Sequence, residues 1–566
     1  MRADYLNNMI IYVVYPSSFY DANGDGIGDL QGIKEKLDYF VYLGVNTICL
    51  GPIFDSPEED GGFDVSSYYE INKYLGSKED LASLIKEAHQ KGLKIILTFE
   101  VNHTSIEHPW FKKAKADPSS KEASYYFFKQ GKKEEGKLLP PNNWKGYFYE
   151  SAWTKLKDDL FYLSLFSSST ADLNLDNAEL KEELFNVGRY YLKLGVDGFY
   201  FANLESTGKD LSFSDSILPD DGTHLIYDEG KHSLNEISKR FVQEFREKVL
   251  EKRDDICLLS TLPSRMTPYA AREFTSRDNN VLDLGFNYDI FWNNDSYKQI
   301  TKQQEDIHTN VLDLKQNIYK WYRENHDLTN MPLLWGNYDF PRVLSMYGDL
   351  NYRTQSATAL FTTFLFLFKT PVLYMGEEIG MSNSKYDNVD DYLDDVFTRN
   401  EVNDLIHSGY KMKDILTYLQ RASRVNSRSP FQWNKEEYAG FSKVLPRRKV
   451  NQDYLEGINV NEESQNIYSI LGFYRYALEK RKDDEIKDII NNGELTLLDE
   501  NHPDVFAYVH EGNEKLVVIT SFRPYTTYFS FYHRIRDIIL HNYEDVLLDS
   551  YTFTLRPFET YLIKIG

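Results

Sequence analysis

The first side chains in an arrangement that chemistry could use are Asp21, Asn23, Asp25 and Asp29, in the run D-x-N-x-D-G-x-x-D. Oxygens at alternate positions, with the carbonyl of Ile27 added, can wrap one hard cation, and Gly26 permits the sharp turn that gathers them. The bidentate glutamate that would close a helix–loop–helix calcium site at its twelfth position is missing, because Gly32 stands there. The run therefore reads either as a single ion-binding loop or as an Asp/Gly-rich turn. The two cysteines, Cys49 and Cys257, each lie in an apolar run and read as small buried hydrophobes, not as a disulfide or metal pair. No P-loop, dinucleotide fingerprint, Cys/His zinc spacing or Ser-His-Asp signature stands out.

These residues need a scaffold, and the 566-residue chain has one written in its hydrophobic pattern. Strand-like apolar runs alternate with amphipathic helical stretches, at Ile10–Tyr15, Thr47–Leu50, Lys94–Phe99, Gly198–Phe201, Ile256–Ser260, Val281–Phe286, Pro332–Trp335 and Pro371–Tyr374. Such β-then-α alternation predicts a parallel sheet, and this many units favours closure into a TIM (β/α)8 barrel over residues 1–103 and 173–485. The alternation breaks over 104–172, a stretch rich in Lys, Pro, Asn and aromatics that is too long for a loop and reads as a small domain inserted after the third strand. Beyond residue 485 short alternating runs such as Asp504–His510, Lys515–Ser521 and Thr560–Ile565 predict a C-terminal antiparallel β-sandwich domain over 486–566.

The formal charge of −23 repels polyanions and argues against nucleic acid and acidic membrane surfaces as partners, while neutral ligands remain open. Aromatics make up 15% of the chain, which suits surfaces that stack on the flat faces of sugar rings. No basic-then-apolar leader opens the sequence and no apolar run is long enough to span a bilayer, so a cytoplasmic location is expected.

The blocks YPSSFYDANGDGIGDLQGIKEKLDYFVYLGVNTICLGPIF, VNHTSIEHPWF, PPNNW, ESAW, ADLNLDN, YMGEEIGM, NSRSPFQW and LRPFE occur in this order. In sequence and spacing they resemble the oligo-1,6-glucosidase, α-glucosidase and trehalose-phosphate hydrolase branch of the α-amylase superfamily, glycoside hydrolase family 13. The resemblance covers nearly the whole chain and implies the barrel, the inserted domain and a structural Ca2+ or another hard divalent ion at Asp21, Asn23, Asp25, Ile27 and Asp29. It implies an α-glucoside or small oligosaccharide as ligand.

It also exposes what the chain lacks. Retaining glycosidases flank the anomeric carbon with two carboxyl groups, a nucleophile and a proton donor. The family's fourth-strand motif G-V-D-G-F-R-x-D, which ends in the nucleophile, resembles Gly195–Ala202 here, so its Arg is Tyr200 and its catalytic Asp is Ala202. The proton donor's place is taken by Thr261, the Asp of D-x-x-x-N-H by Thr98, and the His of N-H-D by Tyr338. Asp339, at the transition-state-stabilising position, remains. So do Asp60 and Arg428, which match the pair that holds a terminal glucose, with Phe63 in place of a stacking Tyr, and His103 and Arg342. Removing one member of a buried charged cluster strands its partners at roughly 3–5 kcal/mol, and Thr98, Tyr200 and Ala202 remove three together, as expected of a site altered as a unit. Tyr200 and Tyr338 put bulk where charge stood, either plugging the pocket or offering a face to a sugar.

Glu205, three residues past Ala202, reads as a solvated loop charge, and Glu377 and Glu378 as barrel-closing structure. The expected function is that of a non-hydrolytic carbohydrate-binding or regulatory relative of α-glucosidases. Two alternatives stand beside it: an active glucosidase or transglycosidase using other residues, and a scaffold with a closed pocket and a protein partner.

Overall fold

The computed structural model describes residues 6–219, 224–251, 253–263, 266–289, 299–302, 308–325, 332, 335–549 and 551–566. Seven parallel strands form the central sheet: β1 (Ile11–Val14), β2 (Thr47–Leu50), β3 (Lys94–Glu100), β4 (Gly198–Ala202), β5 (Cys257–Thr261), β6 (Leu284–Phe286) and β7 (Val372–Tyr374). Their order, β6-β5-β4-β3-β2-β1-β7, is that of a TIM-type barrel. The strand expected at Pro332–Trp335 falls largely outside the described residues. Every residue of β1, β2, β4 and β5 is buried, which is why these runs are continuously apolar and not alternating.

Local sequence sets the entry to β4. The helix Ala178–Leu194 is capped at its start by the Asn177 side chain, which accepts from the Leu180 amide, and is stopped by Gly195 at φ 108°. Gly198 then opens the strand where a Cβ would stand 2.6 Å from the carbonyl oxygen of Cys257. In register, Tyr200 lies beside Thr98 of β3 and Leu259 of β5, and Ala202 beside Glu100.

The segment between β3 and the next helix leaves and returns through one antiparallel pair, His103–Ser105 with Thr170–Asp172. Between them a three-stranded sheet, in the order Trp153–Lys157, Leu160–Leu163, Phe128–Gln130, encloses its own core of Phe127, Trp144, Trp153, Phe161, Leu163 and Leu165. At the C-terminus an antiparallel sheet runs in the order Glu494–Leu498, Val505–Glu511, Lys515–Ser521, Thr560–Ile565, Ile535–His541, and a smaller three-stranded sheet packs with it over Val505, Val517, Phe529, Phe553 and Tyr561. Lys315, buried on the barrel helix Val311–Asn325, donates to the carbonyl oxygens of Asp499, His502 and Val505 at 3.0, 2.7 and 3.2 Å.

Candidate active site

A cleft of about 810 Å³ opens at the C-terminal ends of the strands, where barrel enzymes keep their sites. The loop after β2 gives it Asp60 and Phe63, the inserted segment Tyr147, Phe148 and Phe166, and the barrel loops Asn203, Glu205, Asp339 and Arg424.

Beneath the cleft the expected pocket is filled. Tyr338 is buried, its ring 5.6 Å from that of Tyr15 and 5.5 Å from that of Phe63. Tyr200 is also nearly sealed, edge-on to Phe286 at 6.2 Å. Burial holds both phenols well above their ordinary pKa, so both are neutral. Ala202 is 3% exposed, and the Thr98 hydroxyl donates to the Leu50 carbonyl at 2.6 Å. Tyr200 and Tyr338 are thus packed beneath the cleft, outside its lining.

Glu205 does not behave as the solvated charge its loop position predicts. Asn203 takes the left-handed conformation at φ 55°, and the single turn Leu204–Ser206 curls the chain back over the strand ends. The Glu205 carboxylate therefore faces inward and accepts the Thr261 hydroxyl at 2.7 Å. Burial pushes its carboxyl up to about 7, against the lowering effect of that hydrogen bond. Asn after a strand is the sequence signal that could have found this turn, since Asn tolerates the left-handed region.

Charge on the opposite wall is organised around two guanidinium groups. Arg428, the expected glucose ligand, is fully buried and lies behind the cleft, not in its lining; it donates to the Tyr338 carbonyl at 2.8 Å, to Asp395 at 3.1 Å and to Asp339 at 3.1 Å. Arg424 takes the place beside Asp60, at 3.0 Å, and also meets Asp395 at 2.7 Å and Asp339 at 3.5 Å. The Arg424 guanidinium sits over the rings of Phe148 and Phe397 at 5.2 and 5.1 Å. Burial opposes the charge on Asp395, but the two arginines outweigh it and hold its carboxyl below the usual range. For Asp60 burial dominates and the carboxyl is pushed up to about 7.

Of the remaining expected ligands, Phe63 and Asp339 line the cleft and His103 and Arg342 do not. His103 is fully buried behind Phe166, and burial pushes its imidazole down to about 4, so it is neutral. Arg342 is turned under β7, donating to the Met375 carbonyl with its guanidinium over Tyr374. Glu378 accepts from Tyr12 and Tyr39, each at 2.6 Å, in the structural role expected of it. Sequence reasoning missed Glu205, Arg424, Asp395 and Glu229, the last of which also lines the cleft.

The loop Asp21–Asp29 is closed by its own hydrogen bonds. Asp21 accepts from the amides of Gly24, Asp25 and Gly26 and from Ser442 Oγ; Asn23 accepts from Asp25, Asp25 from Ile27, and Asp29 from Ala22, Asn23 and Gly32. Among the described residues no three His, Cys, Asp or Glu side chains converge on a point that could hold a metal. Also among them, no helix is long and apolar enough to cross a membrane.

Comparison with known proteins agrees with this architecture. The profile of the α-amylase catalytic domain matches residues 13–490. The chain is 34% identical to an oligo-1,6-glucosidase of Bacillus cereus, over 100% of both chains. It is 32% identical to the trehalose-6-phosphate hydrolase of Bacillus subtilis, over 98% of this chain and 97% of that one. The crystal structure of the Bacillus licheniformis trehalose-6-phosphate hydrolase superposes with a TM-score of 0.89 at 32% identity, over 99% of each chain. An inactive double mutant of MutB, a trehalulose synthase, solved in complex with isomaltulose, superposes at 0.88 with 30% identity, again over 99% of each.

Proposed function

The chain belongs to the α-amylase catalytic-domain family, and from that premise we propose that it binds an α-glucoside without hydrolysing it. One observation carries the reading: an open cleft lies above buried Ala202, Thr261, Tyr200 and Tyr338, the first two of which stand where the family resemblance puts the nucleophile and the acid. A methyl group cannot attack, and a hydroxyl is too weak an acid to protonate a departing glycosidic oxygen. The cleft keeps what sugar binding needs, a polar edge in Asp60, Arg424 and Asp339 and ring faces in Phe63 and Phe166. That a relative made inactive by substitution still holds isomaltulose supports binding without turnover.

Calorimetry with glucose, maltose, isomaltose and trehalose tests the proposal. Weak heat from at least one of them at millimolar concentration is expected. No heat from any would favour the scaffold with a protein partner.

A second reading, turnover, rests on Glu205. Its carboxyl, pushed up to about 7 and held by Thr261, is protonated over part of the neutral range and shares the cleft with Asp339. Hydrolysis abolished by Glu205→Gln would establish it. We also assign a hard divalent ion, Ca2+ in the first instance, to the Asp21–Asp29 loop. The donor set is all hard oxygen, which favours the assignment; Asp21, whose four acceptor sites are taken, would have to give up one of these bonds to serve as a ligand.

A further inference from the structure

Resting on the glucoside-binding reading, we infer that the cleft takes unphosphorylated glucosides and rejects sugar phosphates. Five carboxyl groups line it, those of Asp60, Glu205, Glu229, Asp289 and Asp339, while the only cations in the lining among the described residues are Lys145 and Arg424. A phosphate ester carries about two negative charges at neutral pH and is recognised where guanidinium groups, ammonium groups or helix N-termini can be turned to it. Arg424 cannot be turned. It is held by Asp395 at 2.7 Å, Asp60 at 3.0 Å and Asp339 at 3.5 Å, and its planar face lies against Phe148 and Phe397. Freeing it for a phosphate would leave buried Asp60 without its guanidinium partner and take one of two guanidinium groups from Asp395 and Asp339, a loss that the new contact would have to exceed. Arg428 is sealed behind the wall and committed to two of the same carboxylates. Most of the rest of the lining is aromatic, including Tyr147, Phe148, Phe166 and Phe397, and presents ring faces that suit the C–H faces of an uncharged sugar. A dianion in this cleft meets like charge at short range, and such juxtaposition excludes wrong partners.

Among this chain's relatives the inference separates two chemistries, neutral oligosaccharides and phosphorylated trehalose, and places the ligand with the first. The pair trehalose and trehalose 6-phosphate differs in the phosphate alone, so calorimetry of both, with isomaltose beside them, at pH 8 and moderate salt is the test. The expected result is binding of trehalose or isomaltose with trehalose 6-phosphate at least tenfold weaker than the better of the two. Trehalose 6-phosphate binding as tightly as the neutral sugars, or more tightly, overturns the inference and leaves glucoside binding standing. Heat from none of the three overturns both. The double variant Glu205→Gln, Asp289→Asn removes two carboxylates without touching the arginine cluster, and a discrimination narrowed at least threefold is expected. A ratio unchanged by that variant overturns the electrostatic cause.

Discussion

Thr261 and Glu205 are joined by a 2.7 Å hydrogen bond that reaches from the end of β5 to the turn after β4. Thr261 thus holds the carboxyl group nearest in sequence to Ala202. Neither residue alone would suffice for a retaining mechanism, which needs an attacking group and an acid on opposite sides of one sugar.

The unmodified protein is expected to show no hydrolysis of nitrophenyl α-glucoside above background. Enzymes lower barriers by roughly 8–23 kcal/mol, and groups that act as a unit leave no proportionate residue of activity when several are gone. Ala202→Asp alone should remain inactive and lose stability, since its carboxylate would be buried beside neutral Tyr200 in place of the family's guanidinium. Turnover that survives purification and disappears in Asp339→Asn would show that the site works.

The pH dependence of stability should carry the signature of Glu205. Its folded-state carboxyl sits at about 7 against an ordinary 4.5, so the folded protein holds the proton more tightly. Its contribution is full below about 4.5 and is lost as pH rises through about 7. Glu205→Gln should therefore flatten the loss and be the more stable form at pH 8, by about 1–3 kcal/mol once partial solvent access is allowed for. Denaturant melts at pH 5 and pH 8 measure the difference, and equal curves for the two proteins would contradict it.

Cutting back the plug should be expensive. Tyr338→Ala leaves a cavity among Tyr15, Phe63 and Tyr374, at a cost of roughly 3–5 kcal/mol on the scale of buried aromatic truncations. A midpoint shift in urea at unchanged slope would report it. A loss under 1 kcal/mol would mean that the ring is dispensable to the floor.

Arg424 and Arg428 should separate by phenotype. Arg428→Lys breaks the fork that holds Asp395, Asp339 and the Tyr338 carbonyl in a fully buried position, and a stability loss of about 3–5 kcal/mol is expected. Arg424→Lys keeps a cation at the cleft wall, and its larger effect should fall on sugar affinity. The reverse pattern would return Arg428 to the ligand-binding role that its motif implies.

Exhaustive chelation should lower the melting temperature if the Asp21–Asp29 loop carries an ion, because a ligand bound only by the folded state stabilises it by mass action. An unchanged melting temperature, with re-added Ca2+ giving no shift, would leave the loop a turn held by its own amide bonds.

Much of the fold could be read from periodicity, because buried barrel strands are continuous apolar runs that alternate with helices. Thr47–Leu50 emerges as expected, and Gly198–Phe201 and Lys94–Phe99 lengthen by one residue each. Thr98 and Tyr200, singled out together in the sequence, are register neighbours on adjacent strands. Direction within a turn was not legible. Arg424 and Arg428 share the short helix Arg424–Arg428, and no motif says which of two arginines in one turn faces solvent. The inward Glu205 goes with one positive φ at Asn203, a backbone choice that residue type permits but does not dictate.

The buried ammonium of Lys315 changes what the C-terminal sheets mean for the rest of the chain. Its three acceptors all lie beyond residue 498, so the segment that covers the ammonium is also the one that supplies its hydrogen-bond acceptors. Burial has already pushed that ammonium down to about 8, so even the intact protein holds it near the edge of deprotonation. The C-terminal sheets therefore supply the carbonyl oxygens that take the place of water around a buried cation of the barrel. Shortening the chain to its barrel would exchange those carbonyl oxygens for water around one of its cations.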